Sequence, residues 1–266
     1  MPATHPRKTN SATENTQRIL RSRSGDHGIA NSHRMTAVGQ TQGNALGANR
    51  SMDHVLSTKT LMKFATWNVR TLNQPPGKVE QLIKEMEDYS VNIIGLCEMR
   101  WKENGEIQRK SKTIIWSGGK THNRGVGLVL SREARKAMIT WEPINDRILT
   151  ARFQSKHLKM TVVQAYAPTE TSSDQEKDKF YDELDSTMDG IPSHDLVIVS
   201  GDFNAQLGPD RDGWESTIGP HLSGTLNDNG TRFLEFCGRN GLCITNTYFK
   251  HKQIHKKTWI SPNGMT

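Results

Sequence analysis

Long apolar runs are missing from this 266-residue chain. No stretch approaches the roughly 18 residues that a membrane-crossing helix needs, and the N-terminus lacks the apolar centre of a secretory leader. Cysteine is scarce too. Cys97, Cys237 and Cys243 are odd in number, widely spaced and include no Cys-x-x-Cys pair. That pattern argues against a disulfide framework or a cysteine zinc site and suits a reducing interior. An intracellular protein is expected, the nucleus included, with no membrane partner.

Apolar residues make up only 33% of the chain, and the mean hydropathy of −0.68 is low for a chain folded throughout. The shortfall is concentrated in residues 1–60, which show no apolar periodicity and are rich in Ser, Thr, Asn, Gly and Arg. Such a segment cannot bury enough surface to offset the entropy of ordering it, so a disordered basic tail is expected there. The net charge of +7 is uneven. Residues 1–60 hold eight Lys or Arg against three Asp or Glu, which leaves +2 for everything after Thr60. Nucleic-acid binding by the remainder therefore has to be argued from a site and not from bulk charge.

Order is expected from Leu61 to the last residue, as one domain. Lys63–Val69 has the aromatic and β-branched content of a strand. A helix follows with Val79, Leu82, Ile83 and Met86 on one face, and Val91–Cys97 reads as a buried strand. Strands at 113–116, 125–130, 138–141, 147–153 and 158–165, joined by short turns, predict an antiparallel region attached to an α/β start. Ser172 or Ser173 is placed to cap a helix carrying Phe180, Leu184 and Met188. Four apolar residues, Leu196–Val199, then predict a central strand that breaks at Gly201. A further helix is expected to open at Asp228 or Asn229 and stop near Gly241, followed by strands at 242–249 and 257–260. No internal repeat is present.

Chemistry is suggested by what ends these strands. Asn68, Glu98, Tyr166, Asp202 and Asn204 each fall where a predicted strand becomes a loop, and in parallel pairs such ends share one edge of a sheet. A buried carboxylate without a partner costs several kcal/mol, so Asp202 needs a cation, a basic neighbour or a catalytic proton. Taken singly, Glu98 could be satisfied by Arg100, Tyr166 could be a core residue, and the two asparagines could be turn residues. Together they form a set of hard oxygen donors with no clustered His or Cys nearby. That set suits Mg²⁺, or Mn²⁺ in its place, with water and phosphate oxygens completing the shell.

The strings ATWNVRTL, IIGLCEMRW, RGVGLVLS, VVQAYAPT and VSGDFNAQLG occur in that order. With this spacing the chain from about Met62 onward resembles the endonuclease/exonuclease/phosphatase superfamily, and within it the endonuclease domains of RTE-type non-LTR retrotransposons. DRILTARF, NDNGTRFLEF, NTYFKHKQIHKKTW and SPNG support the closer likeness. The resemblance implies an α/β fold, a four-layer α-β-β-α sandwich, with the site at one edge. It also implies roles. Glu98 would hold the metal with Asn68 beside it, Asp202 would deprotonate the attacking water, Asn204 would bond the phosphate or the water, and Tyr166 would donate to the phosphate. The implied activity is nicking of DNA to leave a 3′-hydroxyl, with a reverse transcriptase domain as companion in full-length relatives.

Arg100, Lys102 and Arg124 would extend the DNA surface around the metal. Lys250, Lys252, Lys256, Lys257 and Trp259 combine positive charge with a stacking ring, as backbone contact requires. Two departures from the family pattern stand out. Arg70 occupies a place that is acidic in abasic-site repair relatives, and the pattern's closing Asp strand and Ser-Asp-His are not found before Thr266. The expectation is accordingly a C-terminally incomplete domain of impaired activity. A small-molecule phosphoesterase of the same superfamily, or a non-catalytic nucleic-acid- or protein-binding relic, are the competing readings.

Overall fold

The structure, a computed structural model, describes residues 37–39, 62–155, 158–222 and 224–250, the first three by backbone alone. Their strands form two sheets. The first runs β2 (Phe64–Asn68), β3 (Ile93–Cys97), β6 (Val126–Leu130), β5 (Lys112–Ser117), β4 (Asn104–Arg109). The second runs β11 (Cys243–Ile244), β1 (Ala37–Gly39), β10 (Leu196–Asp202), β9 (Lys159–Tyr166), β8 (Ile148–Gln154), β7 (Met138–Asn145). Two pairs are parallel, β2 with β3 and β9 with β10. The other paired strands run antiparallel.

Strand period sorts the apolar side chains into layers. Ile93 and Cys97 of β3 face the gap between the sheets, where they meet Leu149, Ala151 and Phe153 of β8 and Met160 and Val162 of β9. Ile94 and Leu96, one residue out of phase, face the other way onto Leu82 and Met86 of helix α1 (Lys78–Asp88). On the second sheet Val163, Ala165, Val197 and Val199 pack under Phe180 and Leu184 of α3 (Asp174–Asp189) and Phe233, Leu234 and Phe236 of α4 (Asp228–Arg239). The result is helix, sheet, sheet, helices, with both faces of each sheet covered. Such burial explains why β3 and β6 are apolar at every position or nearly so.

Caps fix where the helices start. Ser173 Oγ accepts the Glu176 N–H at 3.3 Å, which selects Ser173 over Ser172 as the cap of α3. Asn227 caps α4 through the Gly230 N–H at 2.7 Å, one residue before the expected opening. Three elements were not expected. The strand β1 falls within the tail expected to be disordered, yet its backbone pairs antiparallel with β10 and β11, so that expectation fails at Ala37–Gly39. The short α2 (Arg132–Ala137) is capped by Ser131, and β4 is a polar edge strand whose side chains are mostly exposed. Edge strands carry polar residues because they bury little and must resist pairing with other chains.

The expected strand at 242–249 is much shorter. It ends at Ile244 and gives way to a 3₁₀ turn, Thr245–Thr247. Thr247 Oγ1 donates to the Ile244 carbonyl and accepts the Gly219 N–H, both at 2.6 Å. A side chain that bonds nearby backbone in this way competes with the ladder. The expected strand at 257–260 lies outside the described residues, as does the tail expected at 1–60 apart from Ala37–Gly39. Among the described residues no helix is long and apolar enough to cross a membrane.

Candidate active site

Asn68 closes β2, Glu98 follows β3, Tyr166 closes β9 and Asp202 closes β10. Because each pair of strands is parallel, both sheets deliver their C-terminal ends to the same edge of the sandwich. Register makes the match closer. Asp202 lies directly opposite Tyr166, and Asn68 opposite Cys97.

The side chains then bridge the gap between sheets. Asn68 Nδ2 donates to Glu98 Oε1 at 2.8 Å within the first sheet and to Asp202 Oδ2 at 2.9 Å across to the second. Tyr166 Oη crosses the other way and donates to Glu98 Oε1 at 3.1 Å. Arg100 Nη2 lies 3.2 Å from Glu98 Oε2. Asp202 Oδ1 accepts the backbone N–H of Asn204 at 3.0 Å. Four of the five expected residues are thus joined directly through side chains, and Asn204 joins them through its backbone. The Asn204 amide itself donates to the Ala167 carbonyl at 3.0 Å, which ties the loops after β9 and β10 together.

Local backbone serves this geometry. Glu98 has φ 55° and Asn204 has φ 49°. The left-handed region costs an ordinary residue about 1–2 kcal/mol, and such conformations gather at functional sites. Gly201, at φ 145°, turns β10 towards Asp202, and a Cβ there would lie 1.8 Å from the Ala165 carbonyl oxygen. Only glycine fits that position.

Burial, aided by the neighbouring Glu98 and Asp202 carboxylates, pushes the Tyr166 hydroxyl well above the ordinary tyrosine range. Burial likewise raises the Cys97 thiol, with Asp202 adding to it, and Cys97 Sγ donates inward to the Ala165 carbonyl. The polar groups at the edge are therefore oxygens and amides, without a thiolate. Among the described residues no group of three or more His, Cys, Asp and Glu side chains could hold a metal by itself. Two carboxylates and an amide fit a hard cation that keeps much of its water, as Mg²⁺ does. Glu98, with Asn68 beside it, is the residue that would hold it, and Asp202 stands opposite.

Beside Tyr166 opens a polar cleft of about 400 Å³ whose lining includes Arg124, Arg147, Thr169, Ser172 and Glu176. Arg124 and Arg147 each reach the same oxygen, Glu176 Oε1, at 2.7 Å. Bonding by Arg147 above all, with Arg124 behind it, holds the Glu176 carboxyl below the usual range. Arg147 also covers the Tyr166 ring, 5.4 Å from its centroid, and donates to the Tyr166 carbonyl at 3.0 Å. Sequence reading did not reach Arg147 or Glu176. Each resembles an ordinary strand or helix residue until the fold brings them together. Asn229, fully buried, was read only as a helix start. Its Nδ2 donates to the carbonyls of Pro168 and Asn204 at 3.0 and 3.4 Å, fastening both site loops.

Of the expected DNA contacts, Arg100 and Arg124 adjoin the site. Lys102 and Lys250 are exposed, while Lys252, Lys256, Lys257 and Trp259 lie outside the described residues.

Residues 65–252 match the Endonuclease/Exonuclease/phosphatase family, and the chain belongs to it. It is similar to Craniofacial development protein 2 of Bos taurus, 36% identical over 202 residues, covering 76% of this chain and 33% of that protein. The chain thus spans about a third of the length of that relative. Among solved structures it is similar to the AP endonuclease LMAP of Leishmania major, with a TM-score of 0.50, 15% identity, and coverage of 67% of this chain and 66% of that one. This likeness shows the shared fold. The endonuclease domain of TRAS1, a telomere-specific non-LTR retrotransposon, superposes with a TM-score of 0.43 at 12% identity, over 64% of this chain and 68% of that one.

Proposed function

We propose that this domain is a divalent-metal-dependent phosphodiesterase that nicks DNA and leaves a 3′-hydroxyl. The observation that carries the reading is the Asn68 amide, which draws Glu98 and Asp202 from different sheets to within 2.8 and 2.9 Å of one nitrogen. Nucleases of this superfamily are in general divalent-metal dependent. Bound on Glu98 with Asn68 beside it, a cation such as Mg²⁺ would offset the charge that builds on the non-bridging phosphate oxygens.

The remaining work falls to the chain's own groups. Asp202, held by Asn68 at one oxygen and by the Asn204 N–H at the other, accepts the proton of the attacking water. That water's oxygen forms the new bond to phosphorus as the bond to the 3′-oxygen breaks, and the 3′-oxygen leaves as a hydroxyl after taking a proton from solvent. Tyr166, whose proton is firmly held, donates to a phosphate oxygen. Fixed donors of this kind stabilise the transition state more than the ground state. Asn204 keeps Asp202 aimed. Arg100 and Arg124 meet the flanking backbone, with Lys102, Lys250, Lys252, Lys256, Lys257 and Trp259 extending the contact. A reverse transcriptase domain as companion belongs to the same reading, as in the retrotransposon proteins whose motifs the chain resembles.

Supercoiled plasmid incubated with the chain and Mg²⁺ should yield open circles whose nicks a DNA polymerase can extend. Glu98→Gln and Asp202→Asn should each remove that product. Turnover of soluble phosphomonoesters without any nicking would instead identify a small-molecule phosphoesterase.

A further inference from the structure

Directly beneath the site, the space between the sheets is not purely apolar. Gln164, on β9, is fully buried there, as are Ser200 on β10 and the neighbouring Cys97 on β3. Gln164 Oε1 accepts from Ser200 Oγ at 2.6 Å. Its Nε2 reaches Cys97 Sγ at 3.2 Å and Thr66 Oγ1 at 3.4 Å. Ser200 lies next to Gln164 in the same sheet, whereas Thr66 and Cys97 belong to the opposite one. The amide therefore spans the gap.

Strand period makes the location informative. Side chains two positions apart on a strand stand side by side on the same face. Two positions after Thr66 comes Asn68, two after Gln164 comes Tyr166, and two after Ser200 comes Asp202; Glu98 follows Cys97 immediately. Each strand that supplies a site residue is thus gripped one step below it by the same side chain. Burying an amide without partners is costly, and an apolar side chain would fill the space without that demand. Apolar packing tolerates sliding, but hydrogen bonds hold a narrow distance and angle. The Asn68–Asp202 and Tyr166–Glu98 bonds, at 2.9 and 3.1 Å, both cross this gap and fail if it widens by an ångström.

We propose that Gln164 is a positioning residue, a hydrogen-bonded strut that sets the spacing between the two sheets and thereby the approach of Asn68, Glu98, Tyr166 and Asp202. The inference rests on the functional reading above only for its kinetic consequence. The geometric consequence stands independently of it. Gln164→Met preserves the length and volume of the side chain and removes its hydrogen bonds. Ser200→Ala removes a single partner.

The test reads three quantities in the full chain: melting temperature, the split of nicking into kcat and KM, and the side-chain amide resonance of Asn68 assigned by its loss in Asn68→Ala. For Gln164→Met, kcat should fall at least tenfold with KM for plasmid within twofold and melting within a few degrees of the parent. The Asn68 amide resonance should shift while backbone amides of α1 and α3 hold. Ser200→Ala should show a smaller loss, and adding it to Gln164→Met should cost nothing further. An unmoved Asn68 resonance in Gln164→Met overturns the proposal, as does a rate loss that only follows the fraction unfolded. A parent chain that nicks nothing, combined with a shifted Asn68 resonance in the variant, retires the nuclease reading and leaves the strut in place.

Discussion

Gly95 and Gln164 face each other across the two sheets, so close that a Cβ on Gly95 would lie 1.9 Å from Gln164 Oε1. Glycine is required there because the opposing amide fills the space a side chain would occupy. Gly95→Ala must push Gln164 off its partners, and overpacking of this kind costs about 1–3 kcal/mol. Gln164→Ala empties the contested volume. The two substitutions should therefore be strongly non-additive, with Gly95→Ala nearly neutral in the Gln164→Ala background. Urea melts of the four proteins in a double-mutant cycle measure this coupling. Additive costs would show that the two residues do not compete for space.

Glu98 and Asp202 approach the same amide, so removing one negative charge relieves repulsion in the metal-free protein. Glu98→Gln should melt at or above the parent temperature in chelator. Mg²⁺ should stabilise the parent by about 2.7 kcal/mol at a hundred times its dissociation constant, and should leave Glu98→Gln unchanged. Calorimetry with and without Mg²⁺ decides. An equal Mg²⁺ shift in both proteins would place the ion elsewhere.

Glu176 restrains Arg124 through the bond they share with Arg147. A guanidinium committed to a carboxylate is less available to a phosphate. Arg124→Ala should weaken binding to duplex DNA and lower the slope of log K against log salt by about 1. Glu176→Gln should tighten binding. Fluorescence anisotropy across a salt series reads both. Weaker binding by Glu176→Gln would mean that the carboxylate aims Arg124 at DNA instead of withholding it.

Much of the architecture is legible in the sequence for a physical reason. Strands buried on both faces, such as Ile93–Cys97, must be apolar throughout, and helices such as α1 must carry one apolar stripe. The same logic exposes the site, because Asn68, Glu98 and Asp202 are polar groups placed where burial is costly. Elements that bury little leave no such trace. Polar β4 and the six-residue α2 were invisible for that reason. The strut was hidden too, since Gln164 in VVQAY reads as an ordinary outward-facing polar residue until the second sheet is laid over it. Arg147 and Glu176 lie far apart in sequence, and their partnership comes only from the closing of the sandwich.

At the far end of the same strands, Asp195 provides a pH-dependent element remote from the site. Its side chain is almost fully buried, and it accepts from Arg152 Nε at 2.7 Å, Arg152 Nη2 at 2.9 Å and Thr161 Oγ1 at 2.7 Å. Burial alone would raise its carboxyl, but the bonds from Arg152 and Thr161 outweigh it and hold the group below the usual aspartate range. A carboxyl depressed in the folded state contributes stability that is complete above the unfolded value of about 3.9 and is lost as pH falls through the folded value. Asp195→Asn should therefore destabilise the domain by about 2 kcal/mol at pH 7, and the gap to the parent should narrow steadily as pH falls below 4. Denaturant melts from pH 7 to pH 3 test this. A constant gap across that range would show that the carboxylate charge contributes nothing, and that Asp195 stabilises only through its shape and its neutral hydrogen bonds.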